Sequence, residues 1–341
     1  MTSVSASASG YGTVSLGARV GSRVHPAAEL AIGVTVAGVL ALAAPLDVVV
    51  FGLLVVGLTH VLFELRYVIG RCPAVARGGT AIIVQATLGV VVACRLLASS
   101  PLSRTIEIGT WGVLLGGAVV FVARRSPRLM VAGLAVVGVA TAIALAHPRD
   151  WLVVQAHLHN LVPVAFLWDW SAHHLDRPGR IRLRAVTIGW AVLVPAAFLS
   201  GALDPLLATG SGWAGRVFGL DSAFAAVTPP AWRDGIMPLR LLGAFAFAQV
   251  VHYVVWIWFL PRHAPETTAT FAETPPGRWL RGGRFFAVAI GLTTVVLAVA
   301  ASDYGDGRTL YGAFGAYHAY LEYPVLVALA ASAVTPSEKR T

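Results

Sequence analysis

"GLTHVLFELRY", residues 57–67, closes an apolar run that is long enough to cross a bilayer. It sets His60 and Glu64 four residues apart, the spacing that shares one face of a helix, with Arg66 following. An imidazole and a carboxylate inside a lipid-embedded segment are costly, so such residues face the bundle interior and find partners there. The spacing returns near the C-terminus in "YHAYLEYPVL", at His318 and Glu322. What the two pairs do together is the question that the rest of the sequence frames.

Of the 341 residues, 57% are hydrophobic and only 12% charged, with mean hydropathy +0.75. A soluble domain carries about twice that charged fraction. Apolar runs of about twenty residues recur along the chain, each long enough to span a membrane. The pattern predicts an all-α, polytopic transmembrane helical bundle of about ten spans, near 27–44, 46–66, 80–99, 105–123, 128–146, 151–171, 182–203, 238–260, 283–302 and 308–334. These form a single transmembrane domain over 26–335. Residues 1–25, rich in Ser, Gly and Ala without an apolar core, read as a disordered cytoplasmic tail rather than a cleaved signal peptide. Residues 336–341 read as a second cytoplasmic tail. The connection 204–237, with its Gly, Pro, Trp and Phe, is expected as an outer loop that lies on the membrane surface, caps the bundle or simply links two spans.

The net charge of +9 comes from arginines in short connections such as "ARRSPR" and "HHLDRPGRIRLR". That is the orientation signal of a membrane protein and argues against nucleic-acid binding. It predicts a multi-pass protein of the cell membrane with both termini cytoplasmic, the even-numbered spans running from outside to inside. Cys72 and Cys94 form no metal-type pair.

Ten histidines are present. His25, His147, His173, His174 and His263 fall at span ends and read as solvated or interfacial. The other five fall inside even-numbered spans: His60 in the second, His157 and His159 in the sixth, His252 in the eighth and His318 in the tenth. Four parallel helices can aim imidazoles at one axis, as helical bundles do when they hold non-haem metals. A single buried histidine is more simply a hydrogen bond between helices, but four spans, two with a carboxylate at i+4, favour a shared metal site. Glu64 and Glu322 are either oxygen ligands or acceptors for the N–H of a ligating imidazole. Imidazole and carboxylate suit iron, zinc or manganese. His157 and His159 lie two apart and point to different sides of their helix; Pro163 breaks the bond to the carbonyl of His159, which favours His159 as the inward residue. Asp169, beside Trp168 and Trp170, reads as structural or interfacial. The aromatics Phe247, Phe314, Tyr311, Tyr317, Tyr320 and Tyr323 either line an apolar tunnel or pack between helices.

This order of elements resembles the Brp/Blh family of membrane β-carotene 15,15'-dioxygenases. Gly57, His60 and Glu64 match the glycine, histidine and acid of that family's first signature, and "VQAHLHNLV", "FAFAQVVHYVVW" and "YHAYLEYPVL" are similar to its later histidine-bearing helices. Thr59 and Val61 stand where the family has proline and glycine, and Trp256 where it has a second histidine four residues after the first. The resemblance implies a non-haem Fe(II) oxygenase that takes O2 and a lipophilic substrate from the bilayer and cleaves a carotenoid to retinal. Two other classes fit intramembrane histidines: a membrane cytochrome with bis-histidine haem, and a proton- or cation-coupled transporter whose His and Glu form a relay.

Overall fold

A computed structural model describes residues 25–334 except 98–99, 125, 209–211, 219–223 and 225. Apart from residue 25, both expected tails lie outside the described residues. Ten long helices occupy the predicted places: α1 (Pro26–Ala43), α2 (Pro45–Arg71), α3 (Gly78–Leu97), α4 (Pro101–Ala123), α5 (Pro127–Ala146), α6 (Pro148–His174), α7 (Arg177–Ser200), α8 (Met237–His263), α9 (Gly283–Ser302) and α10 (Tyr304–Val334). There is no strand among the described residues. Eight of the ten helices are long and apolar enough to cross a membrane; α3 and α10 fall outside that set. In α10, His318, Glu322 and five tyrosines dilute the apolar run.

Proline opens α1, α2, α4, α5 and α6, where its missing N–H costs nothing. At α4, the Ser100 hydroxyl also caps the Ser103 amide at 3.1 Å. Outward faces carry bare apolar side chains such as Ile82, Val113, Val136 and Ile290, the surface that lipid would cover.

α8 is the central helix, with 72% of its apolar window buried, whereas α5 sits at the edge with 6%. Around α8 pack α1, α2, α6 and α7, and α10 packs against α2, α3, α4 and α9. Of three π-helical turns in this centre, one is Gly189–Leu193 in α7, and the two near the site are Gly52–Val56 in α2 and Val254–Phe259 in α8. Each widens the spiral locally and rotates the following side chains relative to the preceding ones. Both lie within eight residues of a site histidine, His60 or His252. In α6, Pro163 leaves the carbonyl of His159 without its usual partner, and the Val162 amide takes it instead at 3.1 Å.

Close approach is set by glycine at two points of α2. A side chain at Gly57 would overlap the ring of Tyr311, so α10 lies tight against the helix beside the first histidine. A side chain at Gly70 would overlap the Thr267 carbonyl in the short helix Pro265–Ala272.

The connection 204–237 is no loose linker. Arg240 pairs with Asp204, the Ala208 amide bonds the Leu42 carbonyl, and Asp47 accepts from the Ala214 amide at 2.9 Å. It therefore caps one end of the bundle. At the other end Arg71 grips Asp169 with two bonds of 2.8 and 3.0 Å, the structural role expected for Asp169. His263 departs from the solvated reading: its Nε2 meets Glu29 at 2.8 Å, and Arg262 adds a second contact at 3.3 Å. The carboxylate of α1 is 5% exposed and draws these partners from α8 because an unpaired charge there would be costly.

Gly70→Ala is expected to force α2 and the short helix apart, since backbone cannot move aside as a side chain can. The cost is about 1–3 kcal/mol, measured as a lowered unfolding temperature of the detergent-solubilised protein; the same substitution at Gly117, which faces open space, should leave that temperature unchanged.

Candidate metal centre

Four helices deliver one imidazole each to a common point. His60 of α2, His252 of α8 and His318 of α10 are at most 1% exposed, and His159 of α6 is partly buried. Their ring centroids lie close: 5.2 Å for His60–His252, 5.1 Å for His60–His318, 4.6 Å for His159–His252 and 4.7 Å for His159–His318. One ligand atom from each of these residues, together with one carboxylate oxygen of Glu64, falls within 4.8 Å of all the others. Donors around one ion with bonds of about 2.0–2.2 Å lie up to about 4.4 Å apart. The cluster is therefore near the size of a first coordination sphere.

Hydrogen bonding orients two of the rings. His318 Nδ1 faces the Phe314 carbonyl at 3.2 Å; a carbonyl only accepts, so Nδ1 holds the proton and Nε2 presents its lone pair. His159 Nδ1 meets Glu322 Oε2 at 2.7 Å. With Glu322 ionised, His159 Nε2 also presents a lone pair, and the two Nε2 atoms stand 3.0 Å apart. Two lone pairs at that distance repel unless a cation lies between them. A protonated Glu322 would instead pass a proton along the line Glu322–His159–His318. That arrangement leaves the rest of the cluster unexplained: both nitrogens of His60, both nitrogens of His252 and both oxygens of Glu64 are buried without hydrogen-bond partners. Orphaned polar groups each cost several kcal/mol in a membrane interior, and a metal ion would take one atom from each of these residues at once.

The carboxylates work across helices. The i, i+4 spacing pairs Glu64 with His60 and Glu322 with His318, yet Glu322 bonds His159, and Glu64 Oε2 stands 3.4 Å from His252 and 3.8 Å from His318. Residues that share an inward face both point at the neighbouring helices and meet partners there. Glu64 is thus placed among the ligand atoms, and Glu322 behind His159, where it fixes the ring as outer carboxylates do in metal sites.

His157 is not in the cluster. Its ring packs against Phe245 at 5.2 Å, and its Nε2 donates to the Val227 carbonyl at 2.9 Å, tying α6 to the capping connection. The remaining expectations also sort out. Trp256 is fully buried against Phe166 and Tyr67. Phe247, Tyr320 and Tyr323 are packing residues, Tyr320 also donating to Glu107 at 2.7 Å. Tyr317 bonds Gln85. Only Tyr311 of the expected tunnel aromatics faces open space, with Tyr253, whose ring is 4.4 Å from that of His60.

A cavity of about 190 Å³ reaches His60, His159 and His318 between walls that include Leu53, Phe245, Tyr253, Tyr311 and Ala316. Gln155, Asn160 and Gln249 add polar side chains to its lining. Comparison with known proteins found no matching family model, no matching curated protein and no matching solved structure. The fold and the site alone define the class: an all-α protein with helices fit to cross a membrane and a buried His/Glu cluster able to hold a metal ion.

Substitution of His60, His252 or His318 by alanine is expected to abolish bound metal in the purified protein, whereas His157→Ala should retain it, as read by elemental analysis. Glu322→Gln keeps the shape but weakens the hold on His159; metal affinity should fall about 10–100-fold.

Proposed function

We propose that this chain is an integral oxidoreductase of the cell membrane that holds one non-haem iron(II) and uses O2 on a lipophilic substrate, the carotenoid cleavage implied by the Brp/Blh resemblance being the specific reaction to test. The reading rests on one observation: four imidazoles and a carboxylate, with His60, His252 and Glu64 lacking hydrogen-bond partners, converge beside a cavity with largely apolar walls. His60, His159, His252, His318 and Glu64 would hold the ion, a set of imidazole and carboxylate donors that suits iron(II). Neither cysteine is near enough to join the cluster, so nothing favours copper(I).

When bound, iron would supply the activation of O2. The chain's own residues would do the rest. Glu322 holds His159 in one tautomer, the Phe314 carbonyl does the same for His318, and Tyr253 and Tyr311 wall the space in which a double bond would lie. Holding the reacting bond beside the cluster is where proximity would contribute to rate. The haem alternative fits poorly, because rings that crowd one point leave no planar slot for a porphyrin. The relay alternative draws on the Glu322–His159–His318 line of hydrogen bonds and accounts for three of the six residues. The positive-inside pattern supports cytoplasmic termini.

Elemental analysis and an absorption spectrum of the purified protein separate the three. The expected result is about one iron per chain without a Soret band, with O2 uptake that rises on adding a carotenoid and vanishes in His318→Ala. A Soret band would replace this reading with the cytochrome. Absence of metal after metal-supplemented purification would replace it with the proton relay.

A further inference from the structure

The cavity beside the metal cluster opens into a second, larger one of about 800 Å³. The two share walls at Val49, Leu53, Leu152, Ala156, Phe245 and Gly312, with Arg95 and Tyr311 also common to both, so a passage with largely apolar walls joins the cluster to the end of the bundle. The far end of that passage is unlike its walls. Arg104, Arg149, Arg233 and Arg308 line it, and Arg95 stands where the two cavities meet, with Glu107 as the only carboxylate among the described lining residues of the larger one. Glu107 is already engaged, by Arg95 at 2.6 Å and by the Tyr320 hydroxyl at 2.7 Å. The Arg95 Nε is buried with no hydrogen-bond partner.

These arginines come from five separate places: the last turn of α3, the first turns of α4, α6 and α10, and the connection before α8. They lie at the opposite end of the helices from the arginine-rich connections that set the predicted orientation. Cations at that end are not explained by the positive-inside rule. Interfacial anchoring would spread them around the perimeter, whereas here they ring one opening. A positive ring with low-dielectric walls focuses its field on the mouth and selects for negative charge.

The geometry points to a ligand with an anionic head, carboxylate or phosphate, held by the arginine ring, and an apolar chain that threads the passage to the metal cluster. This narrows the proposed substrate from a hydrocarbon to an acid-ended lipid. Its identification as substrate rests on the metal-centre reading above; its binding does not. The head fixes one end of the chain, and the length of the passage then selects which bond lies at the cluster, a ruler that a hydrocarbon without a head could not use.

The test is binding of oleate, methyl oleate and inorganic phosphate to the full chain in nanodiscs of zwitterionic lipid, with empty nanodiscs as blank. Oleate is expected to bind about ten- to a hundredfold tighter than its ester, the range of one or two charge-assisted hydrogen bonds, and less tightly as salt rises. Arg104→Gln with Arg149→Gln should erase the preference while metal content stays at the wild-type level, which shows that the variant is folded. At Gly312 a side chain would meet open space; Gly312→Leu should fill the passage and weaken oleate about tenfold without affecting butyrate. Equal binding of acid and ester, or a preference that survives the double substitution, overturns the proposal. Displacement of oleate by free phosphate at matched concentration also overturns it, in favour of a site for a free anion. Repeating the titration on chelator-stripped protein separates the two readings: head preference without any metal dependence keeps the ligand site even if the iron reading fails.

Discussion

The structure depends on the cost of leaving an imidazole or a carboxylate without a partner where water is absent. Most of the chain avoids that cost by being apolar. The centre does not: His60, Glu64, His252, His318 and Glu322 are at most 1% exposed. Some of their need is met within the protein, through Glu322 and His159 and through His318 and the Phe314 carbonyl. The rest converges on a single small volume. A positive ion there would turn a destabilising cluster into a tie between α2, α6, α8 and α10, and metal affinity would then be part of folding free energy.

The same constraint shapes the periphery in milder form. Glu29 on α1 is held by His263 and Arg262 of α8, and Asp169 on α6 by Arg71 of α2. Each buried carboxylate links two helices. Backbone adjustments serve these links. Gly57 lets α10 approach α2 beside His60, the π-helical turns re-aim side chains near His60 and His252, and Pro163 shifts the hydrogen bonding of the turn that follows His159.

Much of this was legible in the sequence. Hydropathy located the ten helices, because a membrane span must be apolar over a fixed length. Histidines confined to alternate spans pointed to a shared axis, and His60, His159, His252 and His318 do meet. What failed was pairing. Helical spacing says which residues share a face, so it joined Glu64 to His60 and Glu322 to His318; it is silent on which neighbouring helix that face meets. For the same reason His157 could be separated from His159 only by a kink argument, and the fate of His157, a tie to Val227 seventy residues away in sequence, left no local signal. His263 read as interfacial because its partner, Glu29, sits 234 positions earlier. The arginine ring was hidden in the same way, scattered over five segments that only the tertiary fold gathers.

The positions of the four histidines along the chain have a consequence for biogenesis. The first lies at residue 60 and the last at residue 318, so the cluster stays incomplete until α10 has been made and has packed against the other helices. Until then, α2, α6 and α8 wait in the membrane with exposed polar groups that neither lipid nor one another can fully satisfy. Docking of α10 closes the cluster and creates the ion's seat in one event. A site able to hold an ion therefore cannot exist before α10 is in place, and a chain that stalls before α10 lacks both His318 and Glu322, which gives quality control a clear difference between a chain with the cluster and one without it.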